Sequence, residues 1–217
     1  GPASAYAGIG KTQAAYMKMI NDQGGINGRK LNLIQYDDAY SPPKAVEQVR
    51  KLVEGDEVLF TFQIIGTPSN AAVQKYLNAR KVPQLLASTG ASRFSDPQNA
   101  PWTIAFNPNY QSEGRIYAKY ILANHPNAKI GIFYQNDDLG KDFVAGARDV
   151  LGERFATSAV VASHEVTDPT IDSQIVQLKL SGADVVFLIT IPKMASQALR
   201  KITGRLSATG TTAIFIN

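Results

Sequence analysis

Apolar residues along this chain alternate between helical spacing and short continuous runs. The first helical pattern includes Ala14, Met17 and Ile20 and ends at Gly24-Gly25, because glycine tolerates the conformation that closes a helix. Helical spacing predicts six further helices, over residues 43–53, 67–80, 110–123, 139–151, 171–180 and 193–203. Short apolar runs predict strands over residues 31–34, 58–65, 82–87, 102–106, 129–134, 160–161, 183–189 and 212–216. Such alternation is typical of α/β proteins with parallel sheets covered by helices.

A turn-rich segment, Phe106-Asn107-Pro108-Asn109, divides this pattern into two units. We expect two doubly wound parallel-sheet lobes, an N-terminal lobe over residues 1–105 and a second lobe over residues 106–217. The chain starts at the loop that would follow a first strand, and it stops directly after an apolar strand. We therefore expect both lobes to be incomplete and the chain to be a fragment, with the first strand missing from the N-terminal lobe.

Composition and charge argue against several classes of function. The 217 residues include no cysteine and carry a net charge of +4, from 22 basic and 18 acidic residues. The basic residues are scattered, and no basic run with interleaved aromatic residues is present, so we expect no nucleic-acid partner. His125 and His164 are far apart and fit no metal-ligand spacing, so we expect neither a metal nor a cofactor. No Gly-x-Ser-x-Gly motif or Ser/His/Asp order suggests an enzyme.

One motif would instead indicate an enzyme. Ala5-x4-Gly10-Lys11-Thr12 is a relaxed form of the phosphate-binding loop, which would make the protein a nucleotide enzyme using Lys11 and Thr12. That loop requires a buried strand before it, and only residues 1–4 precede Ala5. We favour the alternative that Gly10 and Lys11 belong to the first turns of an ordinary helix.

Two loops that follow predicted strands carry candidate binding chemistry. In open parallel sheets, ligands bind beyond the carboxyl ends of the strands. Residues 66–70 offer a glycine, a Thr67 that can cap the next helix and a proline suited to its first turn, so free N–H groups can hold an anion. Residues 88–92 add hydroxyl groups. Together the loops could hold one carboxylate without an arginine, or they could be helix caps and turns only. The residues concerned are Gly66, Thr67, Pro68, Ser88, Thr89, Gly90, Ala91 and Ser92.

A series of short motifs carries a family resemblance. In chain order these are Gly1-Pro2 with Tyr6, Ile20-Asn21-Asp22-Gln23-Gly24-Gly25-Ile26-Asn27-Gly28, Tyr36-Asp37-Asp38 and Pro43-Lys44-Ala45-Val46. The chain resembles, over essentially its whole length, the type I periplasmic solute-binding proteins of ABC transporters, the leucine/isoleucine/valine-binding family. The resemblance implies two lobes that close on a ligand, and it places the main anchor in the loops at residues 66–70 and 88–92.

The resemblance also implies further ligand contacts. Tyr6 matches a position where an aromatic ring covers the ligand, although a surface or core tyrosine is an equal alternative. Residues 136–140 and 190–192 match the wall of the second lobe, and here Leu139 and Ile191 replace the aromatic residues that amino-acid-binding relatives often carry. A larger apolar ligand such as an aromatic acid would fit this change. The carboxylate that binds an α-ammonium group in relatives comes from a loop beyond Asn217. We expect Asp37 and Asp38 to serve turn chemistry instead.

These patterns lead to one expected function. We expect a periplasmic or other extracytoplasmic receptor of an ABC importer, not an enzyme, that binds a small carboxylate-bearing solute such as a branched-chain or other amino acid or an aromatic acid. Its partners would be this ligand and the membrane permease, and the complete protein would be a monomer. The alternative within the same fold is the effector-binding domain of a transcription regulator or sensor.

Overall fold

Two parallel β-sheets organise the computed structural model, which describes residues 2–206 and 213–216. The helices are α1 Ala7–Asp22, α2 Pro42–Arg50, α3 Thr67–Arg80, α4 Tyr110–Asn124, α5 Asp138–Leu151, α6 Arg154–Ser158, α7 Asp172–Leu180 and α8 Pro192–Leu206. The strands are β1 Thr61–Phe62, β2 Gln84–Ala87, β3 Thr103–Ala105, β4 Ile130–Gln135, β5 Ala159–His164, β6 Val185–Ile189 and β7 Ala213–Ile216. The predicted α/β fold is confirmed.

The second sheet has the strand order β5-β4-β6-β7, and all its pairs are parallel. Every residue of β6 is buried, because the strand has helices on both of its faces. Phe187 packs with α4 and α5 on one face, and Val186 and Leu188 pack with α7 and α8 on the other. The continuous apolar run therefore indicated a doubly covered strand correctly.

The first sheet, of order β1-β2-β3, is smaller than the sequence predicted. Only Thr61 and Phe62 of the run 58–65 are paired as a strand, since Gln63 has a φ of 49° and interrupts the extended backbone. The strand expected over residues 31–34 is wrong. The Leu31 N–H donates to Asn21 Oδ1 at 2.7 Å, and the Leu31 carbonyl accepts from Asn21 Nδ2 at 2.8 Å. The Asn21 side chain therefore makes the two hydrogen bonds that a neighbouring strand would make.

The segment that resembles a phosphate-binding loop is helical. Residues 4–6 form a 3-10 turn and α1 follows without a break, so Gly8, Gly10 and Lys11 lie within helix. The Thr12 hydroxyl donates to the Gly8 carbonyl at 3.0 Å, one turn back along the same helix. A helix in this position leaves no curved loop whose N–H groups could surround a phosphate, and the favoured interpretation is confirmed.

Two details differ from the sequence prediction. Helix α7 begins at Asp172, one residue later than expected, and Ile171 is at its N-cap position. The short helix α6 was not predicted. Gly1 and Thr212, which belong to a predicted motif and a predicted strand, lie outside the described residues. Across the described residues, no helix is both long and apolar enough to cross a membrane.

The division predicted at residues 105 and 106 falls between the two sheets, but the hydrophobic cores cross it. Ala91 and Phe94, from the first half, pack with Phe143 of α5. Tyr40 packs with Phe133 of β4 in a second cluster. The two halves therefore meet at the carboxyl ends of their strands, and the division into domains stays a prediction.

Helices α4 and α5 approach closely through glycines, which fixes the first residues of both helices over this meeting point. A Cβ added at Gly146 would lie 2.0 Å from the Gln111 carbonyl oxygen, and one at Gly114 would lie 2.3 Å from the Phe143 carbonyl oxygen. Backbone atoms of a packed helix cannot move away cheaply. Small residues at both positions are therefore needed for this contact.

We predict opposite effects for two glycine substitutions within helices. Gly146→Ala should lower the free energy of unfolding by about 1–3 kcal/mol through overpacking against α4. Gly8→Ala is the matched control: Gly8 lies in α1 with nothing within 4 Å of an added Cβ, so the same change should raise the free energy by about 0.5–1 kcal/mol. Urea denaturation of both variants measures the difference, and a neutral or stabilising Gly146→Ala would contradict the close contact.

Candidate functional site

The loops at residues 66–70 and 88–92 lie side by side at the carboxyl ends of β1 and β2. The Gly66 N–H donates to the Ser88 carbonyl at 3.2 Å, and the Ser88 N–H donates to the Ile64 carbonyl at 3.0 Å. The Thr67 and Thr89 hydroxyls are hydrogen-bonded to each other at 2.8 Å, and both residues are buried, Thr67 at 2% exposure. The structure thus brings together the two loops that the sequence selected.

The start of α3 differs from the expected cap. Gly66 occupies the N-cap position with a φ of 96°, so Thr67 is the first helical residue and Pro68 the second. The Thr67 side chain does not cap the helix, because its hydroxyl is bonded to Thr89 instead. Gly66 is required here twice over: its φ is in the glycine-preferring region, and an added Cβ would lie 2.2 Å from Tyr40 Cε2.

Tyr110, the first residue of α4, covers these loops from the second half of the chain. Burial raises the pKa of Tyr110, while hydrogen bonds from the Gly90 N–H and from the Thr89 and Thr67 hydroxyls act in the opposite direction. The phenol oxygen of Tyr110 therefore lies close to the Gly90 backbone and to the two threonine hydroxyls. The Tyr110 N–H also donates to the Gly90 carbonyl at 2.9 Å, and an added Cβ at Gly90 would lie 1.9 Å from the Pro108 oxygen.

Ser92 is also engaged across the two halves. Its N–H donates to Asp142 Oδ2 at 2.6 Å and its hydroxyl donates to Asp142 Oδ1 at 3.0 Å. Gln111 donates to the same carboxylate at 3.0 Å. A ligand carboxylate can use Ser92 only after α5 carries Asp142 away, since two carboxylates on one serine repel each other.

Three tyrosines, Tyr6, Tyr40 and Tyr110, lie close to one another, and the Tyr40 ring packs against Gly66. Tyr6, just before α1, is half-buried, and burial together with nearby Tyr110 raises its pKa. Burial raises the pKa of Tyr40 far above its ordinary value. Tyr40 has a φ of 59°, and Asp38 accepts its N–H at 2.8 Å. This bond, with a similar one from the Ala39 N–H to Asp37, confirms the predicted turn chemistry of the two aspartates.

Leu139 and Ile191, the predicted wall of the second half, are 6% and 3% exposed. Leu139 packs in the cluster that contains Phe143, and its N–H donates to Asp137 Oδ1 at 3.0 Å. Ile191 packs in the cluster that contains Tyr40 and Phe133. Both side chains lie within the cores in this conformation, and their contact with a ligand stays a prediction.

Sequence reasoning missed a polar row formed by Gln135, His164 and Thr190. These residues end β4 and β5 or directly follow β6, and they meet because the three strands are parallel neighbours. His164 Nε2 lies 2.6 Å from Thr190 Oγ1, and Nδ1 lies 2.9 Å from the Glu165 carbonyl. That carbonyl can only accept, so Nδ1 carries the proton and Nε2 accepts from Thr190. The signal was a polar residue at the end of each apolar run.

Among the side chains that the structure describes, no cluster of three or more His, Cys, Asp or Glu residues could hold a metal ion. The donors at the loops are hydroxyls and backbone N–H groups. Arg93, the nearest guanidinium in sequence, contacts Asp138 at 3.1 Å and Gln74 at 3.2 Å. The site can therefore hold an oxygen-bearing group by neutral hydrogen bonds.

Comparison with known proteins agrees with this architecture. The sequence profile of the family described as periplasmic binding protein matches residues 1–210. The chain belongs to the periplasmic binding protein family. A relative named Leu/Ile/Val-binding protein homolog 1, from Brucella abortus, is 23% identical over 210 residues, which are 92% of this chain and 56% of the relative.

Solved structures show the same fold. A possible leucine/isoleucine/valine-binding protein from Rhodopirellula baltica superimposes with a TM-score of 0.82 at 21% identity, over 94% of this chain and 56% of that one. An ABC transporter solute-binding protein from Rhodopseudomonas palustris, in complex with 3,4-dihydroxybenzoic acid, gives 0.77 at 19% identity, over 99% and 58%. The chain thus spans little more than half the length of these periplasmic binding proteins.

The buried His164 predicts a pH dependence of stability. Burial lowers its pKa, so the folded state keeps a neutral imidazole where the unfolded chain, near its ordinary 6.5, takes up a proton. The stability contribution is complete above pH 6.5 and is lost as the pH falls below it. We expect the melting temperature to fall from pH 7 to pH 5 and this part of the fall to disappear in His164→Asn. An equal slope in both proteins would contradict the assignment.

Proposed function

We propose that this chain is the ligand-binding part of an extracytoplasmic solute receptor of an ABC importer, and that it binds a small carboxylic acid at the loops 66–70 and 88–92. The observation that carries the proposal is that the buried, hydrogen-bonded Thr67 and Thr89 hydroxyls lie beside the Gly90 backbone at the carboxyl ends of β1 and β2. One hydroxyl proton lies between the two threonines, so the pair can donate the other one to a ligand oxygen. The function is binding, with no bond made or broken.

The chemistry of these donors favours an anionic oxygen. Thr67 is the first residue of α3, where the helix dipole and free N–H groups stabilise negative charge, and Thr89 and Gly90 lie in the neighbouring loop. The position is largely shielded from solvent, and hydrogen bonds to a charged acceptor are stronger than those to a neutral one. A carboxylate should therefore compete successfully with the phenol oxygen that these donors face in this conformation.

The rest of the surroundings favours an acid with an apolar body. Tyr6, Tyr40 and Tyr110 supply aromatic surface next to the donors, and Leu139 and Ile191 are the proposed aliphatic wall. The relative in complex with 3,4-dihydroxybenzoic acid and the relatives named for leucine, isoleucine and valine support an aromatic acid or an apolar amino acid. We propose such an acid as the ligand class.

Ligand entry requires the two halves to separate. Tyr110 and Asp142 belong to the second half and contact the loops of the first half in this conformation. Opening would withdraw both groups and expose the donors, and a ligand that bridges the halves would favour reclosure. The closed, loaded form would then be presented to the permease, with the complete protein acting as a monomer.

A thermal-shift experiment tests the anchor. A probe at one hundred times its dissociation constant should stabilise the chain by about 2.7 kcal/mol. Benzoate, 3,4-dihydroxybenzoate and L-leucine are suitable probes. Thr67→Val keeps the side-chain shape and removes one donor, so the affinity of the responding probe should fall about tenfold. Thr12→Val makes the same change on exposed α1 and should leave the affinity unchanged; equal affinities in both variants would refute the anchor.

Tyr110→Phe tests whether the phenol and the ligand use the same donors. The variant removes the competing phenol oxygen. In the unliganded protein, Thr67, Thr89 and Gly90 then have no tyrosine oxygen as an acceptor. Benzoate affinity, measured by calorimetry, should therefore rise about five- to tenfold. Tyr120→Phe, an exposed position on the same helix, is the matched control and should have no effect. A weaker or unchanged affinity for Tyr110→Phe would show that the two oxygens do not compete.

A further inference from the structure

Gln135, the last residue of β4, carries an unsatisfied acceptor. The residue is only 1% exposed, yet its Oε1 has no hydrogen-bond partner among the residues that the structure describes. Buried side-chain oxygens are nearly always paired in native proteins, so an exception in the interior calls for an explanation. The position at a strand's carboxyl end, in the polar row next to His164, is where parallel sheets bind ligands.

The orientation of the amide is determined by its neighbours. Gln135 Nε2 donates to Asp137 Oδ2 at 2.6 Å and lies 3.4 Å from the Tyr40 phenol oxygen. Rotating the amide by half a turn would place Oε1 against the Asp137 carboxylate, which cannot donate when ionised. The amide nitrogen therefore stays with Asp137, and the oxygen is left without a donor.

Tyr40 connects this acceptor to the proposed carboxylate anchor. Its ring packs against Gly66, so closely that no Cβ fits there, and its hydroxyl reaches Gln135. The Tyr40 side chain thus lies between Gln135 and Gly66. Burial raises the pKa of nearby Asp137, which is a second acceptor in the same small region. The region is rich in acceptors, and a ligand donor would complement it.

We propose that Gln135 Oε1 accepts a hydrogen bond from the bound ligand, so that the receptor selects acids carrying a second group with a donor, a hydroxyl or an ammonium. This inference rests on the proposed function, because it takes the ligand carboxylate to be held by the loops 66–70 and 88–92. The first half of the chain would bind the carboxylate end of the ligand, and Gln135 in the second half would bind the end that carries the donor. Gln135 then acts as a specificity-determining residue that rejects acids lacking the donor.

Matched pairs of probes test the selection. Benzoate and 4-hydroxybenzoate differ by one hydroxyl, and 3-phenylpropanoate and L-phenylalanine differ by one ammonium. In calorimetric titrations of the wild-type chain, the donor-bearing member of one pair should bind about tenfold more tightly than its partner. A preference in the first pair identifies a hydroxyl, and one in the second identifies an ammonium. Equal affinities within both pairs would overturn the proposal without any variant.

Substitutions locate the preference. Gln135→Met keeps the length and removes the acceptor, so the preference should shrink to about twofold or less while the affinity for the donor-free probe remains. Gln98→Met, at an exposed loop position, is the control and should behave as wild type. A full preference in Gln135→Met, with its fold verified by circular dichroism, would overturn the proposal in favour of another acceptor or a bridging water.

The two proposals fail in different ways. If Thr67→Val weakens benzoate binding but neither pair shows a preference, the anchor stands and the role of Gln135 is wrong. If no probe of either pair binds the wild-type chain, the carboxylate anchor fails, and the assignment of Gln135 is overturned with it.

Discussion

The hydrogen bond between the Thr67 and Thr89 hydroxyls is the interaction on which the proposed site depends. It ties together two loops that are neighbours only because β1 and β2 run parallel and end at the same edge. Both hydroxyls are buried, so a broken pair would leave polar groups without partners in the interior. The loops are therefore held in one arrangement before any ligand arrives, and this preorganisation lowers the ordering cost of binding.

A second constraint comes from the close packing of α4 and α5. Their glycines allow the helices to approach, and this approach carries Tyr110 and Asp142 onto the two loops. Oxygens of the second half thereby lie at the proposed ligand donors: the Asp142 carboxylate accepts from Ser92, and the Tyr110 phenol lies beside Gly90 and the two threonines. Under the proposed function, ligand binding would exchange these hydrogen bonds for bonds to the ligand, and the affinity would depend on the difference between the two sets.

The sequence predicted the parts of this arrangement that depend on local pattern. The apolar run of β6 indicated a strand covered on both faces, and the glycine and hydroxyl residues after β1 and β2 indicated the loops. Contacts between distant segments were not predictable. Nothing local indicated that Gln135 would keep a buried oxygen unpaired.

The errors have local causes as well. The run 31–34 has the composition of a strand, but a strand exists only where a neighbour completes its hydrogen bonds, and the Asn21 side chain takes those of Leu31. The Thr67 hydroxyl was expected to cap α3, but Gly66 already provides the turn, which leaves the hydroxyl for Thr89. In the first case a side chain replaced a backbone partner, and in the second a side chain bonded to another side chain instead of to the backbone.

The central claim is that a ligand carboxylate replaces the Tyr110 phenol at the donors of Thr67, Thr89 and Gly90. A crystal structure of the chain grown with whichever carboxylic acid gives the largest thermal shift tests it most directly. The account predicts a carboxylate oxygen within about 3 Å of the Gly90 nitrogen and a threonine hydroxyl, with the Tyr110 oxygen displaced. An acid bound elsewhere, with Tyr110 still facing these donors, would contradict it.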